Sequence, residues 1–226
     1  AAVFVRSEIL RRLGSEANGY YQVAWQVGQN WLAVLGASLW SYGMPKVASR
    51  LDDPRAVNAI QNSFVRIGLL ALAPGIVLLL VGRELWIPLL YTRGFLAAGP
   101  LLAWQLAGEL AAMLRQSLNI SLLPLERLRF LVAQAIGYWG GFALLAWVLM
   151  GPLGPLGVAV AYCAANVAAL AACWIYHRRV LGFSLEGPSR TLLWRTVPGF
   201  AVAAVLANGS DPLSARVAPL ALVALW

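Results

Sequence analysis

Charged residues are scarce in this chain. Only 12% of its 226 residues are Asp, Glu, Lys or Arg, 61% are hydrophobic, and the mean hydropathy is +0.72. Soluble domains carry about 25% charged and about 45–50% apolar residues, so this composition excludes a soluble globular domain. Together with apolar runs of helical length, it predicts an all-α fold, namely a polytopic transmembrane helical bundle.

Residues that bind metals or carry redox chemistry are almost as rare. Cys163 and Cys173 lie in an apolar run at no metal or redox spacing, which predicts buried free thiols. The single histidine, His177, stands beside two arginines at a predicted helix end and is interpreted as an interfacial residue. No glycine-rich phosphate loop and no histidine-based catalytic triad occurs in the sequence. We therefore predict no metal site, no cofactor and no enzymatic activity.

Apolar runs of membrane length predict five complete spans, at 20–44, 63–91, 97–124, 130–150 and 157–176. Residues 1–13 are interpreted as the end of a truncated helix, and residues 178–226 as a basic loop followed by one or two more helices, at 191–207 and 214–226. Both ends of the chain are apolar and no basic region precedes the first apolar run. We therefore expect a fragment of a longer protein.

Single residues predict where several of these helices begin, bend and end. Asp53 is a predicted N-cap, with Pro54 at the first helical position. Pro45 is expected to end the first complete span, and the polar stretch 14–19 to connect it to residues 1–13. Pro74 and Pro88 predict kinks in the second span.

The net charge of +8 is distributed unevenly between the predicted loops. The positive-inside rule places the loops at 45–63, 125–129 and 177–190 in the cytoplasm, and those at 14–19, 92–96 and 151–156 on the other side. A basic cytoplasmic face, rather than nucleic-acid binding, therefore accounts for the charge. Ten cations lie on the predicted cytoplasmic side: Lys46, Arg50, Arg55, Arg66, Arg127, Arg129, Arg178, Arg179, Arg190 and Arg195.

One predicted span, 97–124, carries two charges near its middle, Glu109 and Arg115. A charge at the centre of a bilayer helix costs about 2.5–3.5 kcal/mol on insertion scales, which argues against a lipid-facing position. Glu109 either titrates in a proton relay or pairs permanently with an arginine. Arg115 is suited to a phosphate through its bidentate fork and is predicted to face a cavity. Helical spacing places the acid on one polar stripe, made of Gln105, Glu109, Gln116 and Asn119.

A second polar stripe lies on the first complete span, where Gln22, Gln26 and Gln29 share one helical face. These glutamines line a hydrophilic cavity or form hydrogen bonds between helices. Trp25 beside them stacks on a sugar or packs against other helices. The shorter polar pairs in spans 130–150 and 157–176 are interpreted as interhelical hydrogen bonds.

Three segments, GYYQVAWQ, MPKVASRLDD and FLAAGPLLAWQLAGE, resemble bacterial polysaccharide flippases of the multidrug/oligosaccharidyl-lipid/polysaccharide exporter superfamily. The O-antigen and enterobacterial common-antigen translocases are the most similar group, and the run from Trp104 to Glu109 is the most specific piece. The resemblance covers about residues 1–177 and makes 14–177 the C-terminal lobe of two six-helix lobes around a central cavity. It implies transport of an undecaprenyl-diphosphate-linked oligosaccharide across the bacterial inner membrane for O-antigen-like, lipopolysaccharide-type surface polysaccharide.

The resemblance also implies roles for residues and partners. Glu109 becomes the candidate coupling residue, and the expected partners are the lipid-linked oligosaccharide, membrane lipids, a polysaccharide polymerase and a chain-length regulator. The sequence departs from the family at Gln29, where some relatives carry an acid, and after residue 190, beyond the twelve-helix pattern. A multidrug exporter, a membrane glycan polymerase or ligase, and a scaffold remain alternatives, although short predicted loops count against the enzymes. Candidate cavity residues are Arg115, Gln105, Gln116, Asn119, Gln22, Gln26, Gln29 and Trp25.

Overall fold

Helices make up nearly all of the structure, a computed structural model that describes residues 2–196. The described residues contain no strand, which confirms the predicted all-α class. The helical elements are α1 (Ala2–Ala48), α2 (Pro54–Val81), α3 (Arg83–Leu90), a 3-10 segment (Arg93–Ala98), α4 (Gly99–Asn119), α5 (Leu128–Leu153), α6 (Pro155–Val180) and α7 (187–196). The predicted helices at 191–207 and 214–226 lie largely or wholly outside the described residues.

Four helical stretches within residues 2–196 are long and apolar enough to cross a membrane. They are Pro54–Val81, Arg93–Asn119, Leu128–Leu153 and Pro155–Val180, so the chain is a multi-pass membrane protein. Residues 20–44, predicted as a further span, are helical within α1, but this helix is not apolar enough to count among the candidate spans. Their three glutamines and one asparagine lower the hydropathy of this stretch.

The structure of α1 differs from two predictions, a connecting loop at 14–19 and a helix end at Pro45. No loop separates residues 1–13 from the next helix, because only Gly14 leaves helical geometry, with φ 87° and ψ −179°. Glycine adopts a positive φ without a Cβ clash, so one residue suffices to redirect the chain. Pro45 does not end α1, which continues to Ala48. A proline in the last turn removes one hydrogen bond without blocking the residues after it.

The beginning of α2 confirms the predicted cap, and the predicted second span consists of two helices. Asp53 Oδ1 accepts hydrogen bonds from the backbone N–H groups of Arg55 (3.0 Å) and Ala56 (3.1 Å). The predicted span 63–91 is divided at Gly82, which separates α2 from α3. The division therefore falls between Pro74 and Pro88, both of which lie inside helices.

Helix α4 lies at the centre of the helical bundle and packs against α1, α2 and α6. It ends at Asn119, five residues before the predicted end of its span, and turns follow to Glu126. Helices α5 and α6 cover the predicted spans 130–150 and 157–176 and extend beyond them at both ends, joined only by Gly154 at φ 58°. Much of α5 is apolar and exposed, as Ile136 and Leu144 show, which fits contact with lipid.

Contacts between distant residues group the loops at two ends of the bundle. Gln61 at the start of α2 donates to Leu118 O of α4 (3.2 Å), and His177 of α6 lies 3.0 Å from the same oxygen. At the other end Tyr20 packs edge-on against Phe95, with ring centroids 5.8 Å apart. The alternation of loops predicted from charge therefore agrees with the packing, because the three basic loops meet at one end.

Candidate functional site: a buried carboxylate between three helices

The side chain of Glu109 is only 1% exposed and joins three helices. Its Oε1 accepts hydrogen bonds from Gln29 Nε2 of α1 (2.9 Å), Gln105 Nε2 of α4 (3.0 Å) and Tyr162 Oη of α6 (3.0 Å). The acid predicted from the sequence is thus inside the helical bundle, and it faces neighbouring helices instead of lipid.

Two acceptor atoms at this site have no partner among the described residues. Glu109 Oε2 and Gln105 Oε1 are both buried and make no hydrogen bond. A buried polar atom without a partner costs about 1–3 kcal/mol, and most such atoms in folded proteins are paired. One of these two acceptors, Glu109 Oε2, is the atom on which the carboxyl group can carry a proton without losing an existing hydrogen bond.

Glycines allow α1 and α6 to approach the carboxylate closely. A Cβ added to Gly28 of α1 would lie 2.9 Å from Glu109 Oε1, and one added to Gly108 of α4 would lie 2.5 Å from Tyr162 Cδ1. Small residues commonly permit such close helix contacts in membranes. Both glycines stand next to predicted site residues in the sequence, but their positions alone do not reveal which helix they meet.

Arg115 is separate from Glu109, with no ion pair between them in the described part of the chain. Its Nη2 lies 3.4 Å from Asn166 Oδ1, and its guanidinium carbon lies 4.9 Å from the ring centroid of Tyr138. The latter is cation–π geometry. The side chain is partly exposed, while Nε is buried and has no hydrogen-bond partner in residues 2–196. Of the two alternatives for Glu109, the fixed ion pair with this arginine is not formed.

The two remaining residues of the α4 stripe, Gln116 and Asn119, differ in burial. Gln116 is partly exposed, and its Oε1 would lie 2.6 Å from a Cβ on Gly36 of α1. Asn119 is 4% exposed; it donates to Gln134 Oε1 (2.8 Å) and accepts from Cys173 Sγ (3.2 Å). Asn119 therefore connects α4 with α5 and α6, which is the interhelical alternative for a polar stripe.

The three glutamines of the first predicted span have different surroundings. Gln29 bonds to Glu109, Gln22 is partly buried, and Gln26 is exposed and accepts a long hydrogen bond from Tyr91 Oη (3.5 Å). Only one of the three is therefore part of the buried site. Gln22 and Gln26 lie partly or wholly at the surface of the bundle, apart from this site.

Trp25 lies in the core of the helical bundle, with 8% of its surface exposed. Its ring meets Tyr162 edge-on at 5.2 Å and stacks on Phe142 at 6.2 Å between centroids. In this arrangement the indole packs between helices, which is the alternative to sugar stacking. Trp25 thereby supports the tyrosine that bonds to Glu109.

His177 is fully buried, so its interpretation as an interfacial residue is wrong. Nε2 lies 3.0 Å from Leu118 O, and Nδ1 lies 2.9 Å from Cys173 O. The end of α6 packs against the end of α4, which the run of arginines after the histidine does not reveal. Cys163 and Cys173 are buried free thiols, as predicted.

Two asparagines of α2 hold the segment after α6, a feature that the sequence pattern did not suggest. Asn62 Nδ2 donates to Ser184 O (2.9 Å), and its Oδ1 accepts from the N–H of Glu186 (2.9 Å). Asn58 Oδ1 accepts from the N–H of Ser184 (2.9 Å). The i, i+4 spacing of these asparagines was visible in the sequence, but their partners lie more than 120 residues away.

The fold and this site define an all-α multi-pass membrane protein whose described helices enclose a carboxylate. No family model, no curated protein and no solved structure matches the chain. The described residues hold no cluster of His, Cys, Asp and Glu that could bind a metal ion.

Proposed function

We propose that this chain forms the C-terminal lobe of a flippase that moves undecaprenyl-diphosphate-linked oligosaccharide across the bacterial inner membrane. The observation that carries the proposal is Glu109, a buried carboxylate on a candidate membrane span whose Oε1 binds α1 and α6 while Oε2 is unpaired. Intramembrane carboxylates of this kind commonly serve transport. The resemblance of residues 1–177 to polysaccharide flippases supplies the substrate class.

The hydrogen bonds of Glu109 supply a route from ion binding to helix movement. As a carboxylate, Glu109 accepts from Gln29 and Tyr162 and so holds α1 and α6 against α4. A proton on Oε2 weakens both bonds, because charge-assisted hydrogen bonds are about twice as strong as neutral ones. Binding and release of a proton or cation would therefore change how tightly the three helices are joined, which is what coupling to a gradient requires.

The substrate's diphosphate requires a cation near the membrane interior, and Arg115 supplies one. Arg115 is partly exposed as a residue, and it forms no ion pair with a carboxylate in residues 2–196. Gln22 and Gln26, which are not held by the buried site, are suited to hydroxyl groups of a sugar. A polysaccharide polymerase and a chain-length regulator are the partners proposed for this transport step.

Translocation by the full-length protein in proteoliposomes tests the proposal. Fluorescent undecaprenyl-diphosphate oligosaccharide is placed in both leaflets, and a glycan-cleaving enzyme outside reports the fraction that is accessible. We expect an imposed ion gradient to change that fraction only in vesicles that contain the protein. Gradient-driven uptake of a cationic drug without movement of the glycan would instead favour the multidrug exporter, and no movement of either would contradict transport.

A further inference from the structure

A second polar feature lies far from Glu109, at the junction of α3 with the start of α4. A cavity of about 520 Å³ opens there, and its lining includes Arg83, Glu84, Arg93 and Gly99. Residues 82–92 connect two candidate membrane spans, so the cavity lies at one surface of the membrane. Neither arginine is part of the site built around Glu109.

The guanidinium of Arg83 lies against the junction of the 3-10 segment with α4. A Cβ on Gly99, the first residue of α4, would be 3.6 Å from Arg83 Nε and Cζ. The 3-10 segment runs directly into α4, because the N–H of Gly99 donates to Leu96 O and Pro100 has no N–H. The positive charge at this junction is therefore that of the arginine side chain.

The hydrogen-bonding capacity of Arg83 is also incomplete. Its Nη1 is buried and has no hydrogen-bond partner among residues 2–196. Arg93 lines the same cavity, and among the lining residues that the structure describes two arginines stand against one glutamate, Glu84, giving a net charge of +1. Guanidinium groups pair with phosphate in a bidentate manner.

The surroundings of the cavity are apolar and unprotected. Leu85, Leu89 and Leu90 of α3 are 77%, 78% and 67% exposed. Leu85 and Leu89 share one face of α3 because they are four residues apart. A charged cavity bordered by exposed leucines at a membrane surface matches a phospholipid, whose phosphate and acyl chains are joined. A free phosphate ion would make no use of the leucines.

We propose that this cavity binds the phosphate of an anionic phospholipid in the leaflet on the α3 side of the membrane. The phosphate bridges Arg83 and Arg93, while the acyl chains lie along Leu85 and Leu89. Lipid bound here would fix the angle between α3 and α4 at the end of the central helix. The proposal depends on membrane insertion and is independent of what the protein transports.

Native mass spectrometry of the purified full-length protein tests the site. The protein is titrated with phosphatidylglycerol, with phosphatidylcholine as a zwitterionic lipid and with inorganic phosphate as a free anion. We expect one tightly bound phosphatidylglycerol, and an affinity about tenfold or more weaker in Arg83→Gln and in Arg83→Gln/Arg93→Gln, since each charge-assisted hydrogen bond to phosphate contributes on this scale. Arg83→Lys retains the charge and checks that a variant at this position folds.

A matched control separates a specific site from general charge. Arg11→Gln removes one exposed arginine near the same end of the bundle and leaves Glu8 paired with Arg12. We expect this variant to bind phosphatidylglycerol as the wild type does. Equal loss in Arg11→Gln, unchanged affinity in the double variant, or equal binding of phosphatidylcholine would overturn the proposal. Binding of inorganic phosphate as tightly as the lipid would overturn its lipid part.

Discussion

Gln29 of α1 and Glu109 of α4 are hydrogen bonded, Nε2 to Oε1, at 2.9 Å although 80 residues separate them in the sequence. The same amide nitrogen of Gln29 lies 2.9 Å from Tyr162 Oη of α6, and that hydroxyl donates to Glu109. The three side chains thus form a closed ring of hydrogen bonds. Any change in the charge of Glu109 therefore acts on both neighbouring helices at once.

Replacement of Glu109 by glutamine separates coupling from folding. Glu109→Gln preserves size and hydrogen bonding but removes the charge and the proton site. Because no ion pair to an arginine depends on Glu109 in the described residues, we expect wild-type abundance in the membrane and loss of gradient-dependent export. Membrane abundance and glycan export are measured together in cells that lack their own copy of this protein. Glu126→Gln, at an exposed turn, is the control, and wild-type export by Glu109→Gln would rule out the coupling role.

Arg115→Ala is expected to weaken recognition of the substrate. A diphosphate would lose a charge-assisted contact worth about 1.5–3 kcal/mol, so the apparent affinity for lipid-linked glycan falls while the maximal rate changes less. The dependence of the translocation rate on glycan concentration in proteoliposomes gives the apparent affinity and the maximal rate separately. Arg129→Ala removes an exposed arginine elsewhere and should have little effect. Loss of both parameters with lowered thermal stability would instead indicate that contacts with Tyr138 and Asn166 are the main role of Arg115.

Gly108→Val should disrupt the contact between α4 and α6. The added Cβ would meet the Tyr162 ring at 2.5 Å, so the tyrosine must move away from Glu109. Overpacking of this kind costs about 1–3 kcal/mol, and thermal unfolding in detergent should shift accordingly. Gly137→Val is the matched control because nothing lies within 4 Å of a Cβ at that glycine. Equal melting temperatures for the two variants would contradict the close approach of α4 and α6.

The hydrogen bonds from Asn62 of α2 to the segment after α6 predict different effects of two substitutions on amide exchange. Asn62→Ala leaves Ser184 O and the Glu186 N–H without partners, which we expect to cost about 1–3 kcal/mol. Asn62→Asp retains the acceptor for the Glu186 N–H, but it removes the donor to Ser184 O and Asn58 O and adds a buried carboxylate. Hydrogen exchange at the Glu186 amide should therefore quicken in the alanine variant and stay slow in the aspartate variant. Slow exchange in both would show that other contacts hold this segment.

The orientation inferred from charge predicts which loops an impermeant thiol reagent reaches. In full-length protein with Cys163 and Cys173 replaced by alanine, a cysteine at position 53 should react only after the cells are permeabilised. A cysteine at position 94, between α3 and α4, should react in intact cells. Abundance of each variant is checked by immunoblot. Labelling of position 53 in intact cells would reverse the assigned orientation.

Local chemistry was sufficient to predict much of the fold. Composition and the length of apolar runs led to the all-α class, since a span needs about 20 apolar residues whatever it packs against. Asp53 and Pro54 marked the beginning of α2, because a cap involves only residues within one turn. The grouping of basic loops at one end also followed from charge alone.

Tertiary structure decided what each polar face meets. Helical periodicity placed Gln105, Glu109 and Asn119 on one stripe, yet it could not say that α1 and α6 cover that stripe. The same limit explains the burial of His177 and the packing of Trp25, whose neighbours come from other helices. Hydrogen bonds between residues 53 to 80 positions apart depend on how helices pack, and that arrangement is a property of the whole helical bundle. The sequence by itself determined which side chains are polar within the membrane, and only the packed helices determined which of them meet.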